Sequence, residues 1–165
     1  MRIITVICLL AFLINCQEKR EKLKREGKPD IMYFKNADEE MNSAVKNAKE
    51  TLPEFQNAIQ SKNPDYSNFT LKQQFDTSDG GGEHIWIGDI QFKDGKYYGI
   101  VQNEPFDKKI LVKLGDSVEV PIERISDWKY NDKNIVKGAY TIKVVRKYMS
   151  PEEKKEMDAE GLIYE

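Results

Sequence analysis

Hydrophobic positions along this chain change period repeatedly, and each change predicts an element. Residues 3–14 form an almost unbroken apolar run behind Met1 and Arg2, the pattern of a secretory h-region. As a helix such a run covers about 18 Å against a hydrocarbon core of about 30 Å, too short for a permanent membrane span. Residues 17–30, QEKREKLKREGKPD, are nearly all charged and are expected to form a tether. Apolar side chains then recur every three or four positions at Met41, Ala44, Val45, Ala48, Leu52 and Phe55, which predicts a helix over about 38–51. Asn36 with Glu39 gives it a capping-box-like start, and Pro53 marks a kink or a short second helix running to Ile59.

Beyond that point the period falls to two. Phe69, Leu71, Gln73 and Phe75 alternate with Thr70, Lys72 and Gln74, a half-buried strand. Residues 76–82 contain three consecutive glycines and are read as a flexible loop, with close approach of a ligand as the alternative. Residues 83–93 and 96–104 flank Asp94-Gly95, a two-residue hairpin signal because both positions accept positive φ. Pairing Lys93 with Lys96 would put Phe92, Ile90, Gly88 and Trp86 opposite Tyr97, Gly99, Val101 and Asn103 on one face. Gly88 and Gly99 would then leave a bare groove, expected to seat the helix.

Residues 110–112 and 117–120 are predicted to pair around a turn at 113–116, with one tight helical turn over 121–125. Residues 126–130 and 135–136 read as a further hairpin. Residues 140–149 fit both an alternating strand and a helical stripe; the helix is preferred. Ser150-Pro151-Glu152-Glu153 is a capping box with proline at the first helical position, and Gly161 suits a left-handed end, so a C-terminal helix is expected over about 151–160. The fold class is α+β: an N-terminal helix or helix pair packed on a bent antiparallel sheet of short hairpins or partial barrel, with a C-terminal helix. The expected organisation is a signal peptide at 1–15, a tether at 16–30 and one domain at 31–165.

Charge and cysteine usage narrow the chemistry. The net charge is −2 with both signs interspersed, so no basic face offers counterion release and nucleic acid is not an expected partner. Both cysteines, Cys8 and Cys16, lie in the N-terminal segment, which leaves the folded part without a thiol for a disulfide, a zinc site or a nucleophile. Leu13-Ile14-Asn15-Cys16 resembles a bacterial lipobox, with Asn15 where most carry Gly, Ala or Ser. It makes Cys16 the expected site of lipidation and mature N-terminus, and the membrane an expected partner through several acyl chains. The expected location is the cell envelope, outside the cytoplasm.

DEEMNSAVKNAKETLPEF, EHIWIGDI, GIVQNEP, LGDSV, ISDWKY and GAYTIKVVRKYMSPEE occur in that order. Together they resemble the YegJ-like family of bacterial proteins, domain of unknown function 2314, over about residues 33–153. The resemblance implies a bacterial domain found alone or joined to other modules, ankyrin repeats among them. It implies no activity and transfers no catalytic residue.

The residues themselves offer little catalysis. The one histidine, His84, follows the glycine loop, and nothing in the spacing places a carboxylate beside it. Glu83, His84 and Asp89 lack metal-ligand spacing, so neither a metal nor another cofactor is expected. His84, Trp86, Asp127 and Trp128 are the candidate binding residues, on the ground that aromatics with one polar atom make good anchors for a protein or peptide partner. The expected function is therefore a lipid-anchored, non-enzymatic binding module. One alternative is a small hydrolase with His84 as general base and Asp127 or Glu104 orienting it; another is an immunity-type inhibitor of a secreted toxin.

Overall fold

A computed structural model describes residues 20–23, 31–34 and 38–164. The chain divides into two compact units, Met1–Lys35 and Asn36–Glu165. In the first, β1 (Arg20–Leu23) and β2 (Ile31–Phe34) form an antiparallel pair, Arg20 opposite Phe34. The expected tether thus contains a strand, because backbone pairing does not depend on the charge of the side chains. The signal peptide and Cys16 lie outside the described residues.

The second unit opens with α1 (Glu39–Glu50) and α2 (Leu52–Ser61). Asn36 lies outside the described residues; Asp38 caps α1, accepting the Met41 amide at 3.0 Å. Pro53 sits in the first turn of α2, where its missing N–H costs nothing. The apolar stripe of the two helices meets the sheet through Ala48, Leu52 and Phe55. Phe55 is fully buried, with ring centroids 5.6 Å from Phe69, 6.0 Å from Tyr97 and 5.8 Å from Trp128.

The sheet runs in the order β6-β5-β4-β3-β7-β8-β9. Its strands are β3 (Tyr66–Asp76), β4 (Gly82–Lys93), β5 (Lys96–Val101), β6 (Ser117–Val120), β7 (Ile125–Asp132), β8 (Ile135–Gly138) and β9 (Ile163–Tyr164). Every pair is antiparallel except β8 with β9. The sheet is open, and no barrel closes. A 3-10 turn spans Ile122–Arg124, and α3 (Tyr140–Lys147) settles the ambiguous segment as helix. Ser150 and Glu153 complete the capping box of α4 (Pro151–Ala159).

Three departures from the expected sheet have local causes. Residues 110–112 form no strand: β5 is flanked by β4 and β6, and Val101 exchanges backbone bonds of 2.9 Å with Gly115 and Asp116. Ile110 and Val112 instead pack on the core through their side chains. The glycine loop is a bonded turn, with the Gly80 amide on the Thr77 carbonyl at 3.2 Å and the Ser78 amide on Asp107 Oδ2 at 2.7 Å.

The third departure is a bulge. The β4–β5 register holds from Lys93↔Lys96 to Gln91↔Tyr98, then slips, so that Gly88 faces Ile100 and Ile87 faces Val101. Asp89 takes the left-handed conformation at the slip, φ 50°, where aspartate is among the few tolerant residues. The extra residue puts Ile85 and Ile87 on the same side as Ile90 and Phe92; the three isoleucines are in the core cluster and Phe92 packs against it. The bare groove therefore seats no helix: the Gln102 side chain lies over Gly88, and Gly99 is closed by the Gly88 carbonyl, Ile90 and Ile87.

Candidate functional site

With the helices on one face of the sheet, the alternating positions Thr70, Lys72, Gln74, His84 and Trp86 point to the other. Lys72 pairs across the strands with Trp86, and Gln74 with His84. Trp86 is partly exposed. The Lys72 Nζ sits 4.9 Å and the Lys129 Nζ 5.6 Å from its ring centroid, both within range of a cation–π contact. Burial lowers the pKa of both lysines; Asp127 opposes this for Lys72, and Glu160 and Asp127 for Lys129.

Lys129 also lines a cavity of about 260 Å³ together with Asn68, Thr70, Asp89, Gln102, Asn131 and Glu160. Two of these, Asn68 and Asp89, hold positive φ, 53° and 50°, and each sits in a register shift of β3 or β4. Left-handed backbone at non-glycine positions costs of order 1 kcal/mol or more and gathers where ligands bind. Amides, a hydroxyl, one ammonium group and two carboxylates line the space, together with the apolar Phe69 and Leu162. It is of a size for one polar side chain or small polar molecule.

The other candidates have different places. Trp128 is 1% exposed, a core residue whose Nε1 donates to the Ala48 carbonyl at 2.9 Å, so it is not a surface anchor. Asp127 is fully buried. A bulge between Lys72↔Asp127 and Gln73↔Ile125 leaves Ser126 as the extra residue and turns the Asp127 carboxylate to the start of α3. There Oδ1 accepts the Tyr140 amide at 3.1 Å and the Trp128 amide at 2.8 Å; Oδ2 accepts from the Thr141 amide at 2.8 Å and hydroxyl at 2.6 Å. Ala139 at the N-cap of α3 offers no side-chain cap, and Asp127 supplies one from the sheet. Burial pushes the Asp127 carboxyl up, while Lys72, the Thr141 hydroxyl and amide and the Trp128 amide act in the opposite sense.

His84 meets neither Asp127 nor Glu104. Its Nδ1 lies 2.7 Å from Ser126 Oγ, which is 3.2 Å from the Lys72 carbonyl. Glu104 accepts the Leu114 amide instead, at 3.3 Å. Loss of water around the inner edge of the ring, then the positive charges of Lys72 and Lys49, lower the His84 pKa to about 4. The outer edge stays in water, since the residue as a whole is exposed. Ser126 is 2% exposed, so a substrate carbonyl has no path to its hydroxyl and the pair is not arranged for nucleophilic attack.

The site that emerges is Trp86 between Lys72 and Lys129, with the polar cavity beside it. Neither lysine stands out in the sequence, because a polar residue on a half-buried strand reads as a solvated face. The signal available was the alternation itself, which places Lys72 and Gln74 on the face opposite Leu71 and Gln73.

The family model described as "Uncharacterized protein conserved in bacteria (DUF2314)" matches residues 38–164. The chain is 36% identical over 141 residues to a putative ankyrin repeat protein of Neisseria meningitidis serogroup B, covering 81% of this chain and 55% of that protein. It is 30% identical over 102 residues to the uncharacterized protein YegJ of Escherichia coli K12, covering 62% of this chain and 64% of that one. In both cases the match takes in less than two thirds of the relative's own length. No solved structure matches the chain.

Proposed function

The chain belongs to the DUF2314 family of bacterial proteins, and we propose that it acts as a non-enzymatic binding module, held outside the cytoplasm in the cell envelope by lipid on Cys16. Its partner is a protein or peptide that lays a polar or anionic segment across Trp86 and places one side chain in the adjoining cavity. The observation that carries this reading is the position of Trp86, partly exposed between Lys72 and Lys129 and beside a polar recess of about 260 Å³. An aromatic ring flanked by two cations offers apolar area and positive charge together, a combination suited to a polar ligand with a carboxylate.

Photo-crosslinking in intact envelopes tests the binding. A crosslinker at Gln102 is expected to give one discrete adduct that Trp86→Ala and Lys129→Glu abolish, and a crosslinker at Asn57 on α2 is expected to give none. Identical adducts from both positions would sink the reading. The anchor is tested apart from it, by metabolic palmitate labelling that Cys16→Ser should eliminate.

A further inference from the structure

The polar residues around the cavity beside Trp86 are of two kinds. Asn68, Asp89, Gln102 and Glu160 are exposed residues and belong to its outer part, while Lys129 is partly buried. Thr70 and Asn131 are only 3% and 5% exposed and belong to its enclosed part. Both carboxylates therefore stand toward water, and the enclosed end is built from neutral groups.

Asn131 is the feature of that end which the fold does not use. Its backbone is paired in β7, opposite Ser67 on β3 and Val136 on β8, and it shares a face of the sheet with Lys129, two positions before it. Its side chain lines the cavity and has no hydrogen-bond partner among the described residues. Buried carboxamides are ordinarily paired, because unmet donors and acceptors away from bulk water are costly. Thr70 Oγ1 donates to the Asn68 carbonyl at 3.0 Å, which uses its proton and leaves its lone pairs. Whichever way the Asn131 group is turned, the enclosed end offers N–H donors together with carbonyl and hydroxyl acceptors.

We infer that the side chain received by this cavity is an uncharged carboxamide, that of Asn or Gln, an assignment that rests on the binding module proposed for this surface. The incoming carbonyl accepts from the Asn131 amide, and the incoming N–H₂ donates to the Asn131 carbonyl oxygen or to Thr70 Oγ1. The methylenes that carry it pass Leu162, which lines the same space. Charge of either sign fits less well. A carboxylate would join Asp89 and Glu160, and Lys129 already faces the Trp86 ring and the charges of Glu160 and Asp127. A cation would join Lys129 and reach an end that holds no carboxylate. An apolar side chain would shut Asn131 from water without meeting its donors.

Probes of one planar shape test the inference on the full chain: propionamide, propionate, the propionamidinium ion and butanone. The readout is the chemical shift of the Asn131 side-chain amide, assigned through its own side-chain carbons, with the Asn57 amide on α2 as the control. Propionamide is expected to give a saturable shift in the millimolar range, as suits so small a molecule, and the other probes to bind at least about tenfold more weakly. Thr70→Val leaves the reporter in place and should weaken propionamide about fivefold. Propionate or propionamidinium binding as tightly as propionamide would overturn the inference, because charge would then set what enters. Equal binding of butanone would also overturn it, since the donors of the ligand would not be read. So would a shift at Asn131 no larger than that at Asn57 with every probe. If the crosslinks at Gln102 fail while propionamide is still selected, the loss falls on the partner; if they appear while propionate is preferred, it falls on the carboxamide.

Discussion

Asp127 holds Thr141 at two points, its Oδ2 accepting the Thr141 amide at 2.8 Å and the Thr141 hydroxyl at 2.6 Å. The carboxylate stands where a side-chain cap of α3 would stand if Ala139 could provide one. It also faces Lys72, whose Nζ bonds to the same Thr141 hydroxyl at 2.9 Å. Asp127→Ala leaves the Trp128, Tyr140 and Thr141 donors without their acceptor and removes the negative charge that offsets Lys72, a loss of about 3–5 kcal/mol. Asp127→Asn keeps the shape but turns an N–H₂ toward donors, and should cost about 2–3 kcal/mol. Urea unfolding of the variants measures both, and a loss below about 1 kcal/mol for the alanine would refute the capping role.

Gly99 and Gly88 should respond differently to the same added methyl. A Cβ on Gly99 would lie 2.6 Å from the Gly88 carbonyl oxygen, a backbone atom that cannot give way, so Gly99→Ala should cost about 2–3 kcal/mol. The three atoms nearest to a Cβ on Gly88 all belong to the Gln102 side chain. Gln102→Ala should therefore rescue Gly88→Ala, and a double-mutant cycle should return a coupling of about 1 kcal/mol or more. Equal losses at both glycines, with no rescue, would contradict the packing described.

His84 predicts a pH dependence whose sign is fixed. Its pKa in the folded chain is lowered from 6.5 to about 4, so the unfolded chain binds more protons between those values, and stability falls as the pH drops through that window. The loss is a fraction of what such a shift would carry in a dry site, because the outer edge of the ring is wet. As the chain has one histidine, a single C2–H resonance reports the titration directly. A midpoint above the ordinary histidine value would show that the lysines and the inner edge of the ring do not act as described. His84→Gln should flatten the stability profile in the window above the carboxylate range.

The two tryptophans should differ in fluorescence. Trp86 lies under two ammonium groups in a partly open position, whereas Trp128 is 1% exposed. The emission removed by Trp86→Phe should be the red-shifted part, quenched by iodide more strongly than by caesium, because the local field attracts the anion. What remains should be blue and resistant to both ions. If caesium were the better quencher, Lys72 and Lys129 could not both lie over the ring.

Elements whose causes are local were readable in advance. The Asp94-Gly95 turn, with both residues at positive φ, fixed the first pairs of the β4–β5 hairpin. Ser150 and Glu153 located the start of α4, and the spacing of Ala44, Ala48, Leu52 and Phe55 gave the buried face of the helices. What escaped depends on contacts remote in sequence. The bulges at Asp89 and at Ser126 arise from pairing with β5 and β3, and an aspartate or serine in a strand does not declare whether it is an extra residue. One such bulge reversed the faces assigned to Ile85, Trp86 and Ile87. The other made Asp127 a cap for a helix thirteen positions further on. Trp128 reads as an anchor until Phe55 and Ala48 are seen to close over it.

The bulge at Asp89 works on the sheet as a shift of phase. Downstream of it, Ile90, Phe92 and Tyr97 face the helices; carried upstream without interruption, that alternation would send Trp86 beneath the helices and leave Ile85 and Ile87 in water. One inserted residue, touching neither the tryptophan nor the isoleucines, therefore decides which surface this end of the sheet shows to its surroundings. Within such a fold a new recognition surface can arise from a one-residue insertion or deletion, leaving every side chain in place and changing only the side from which it is seen.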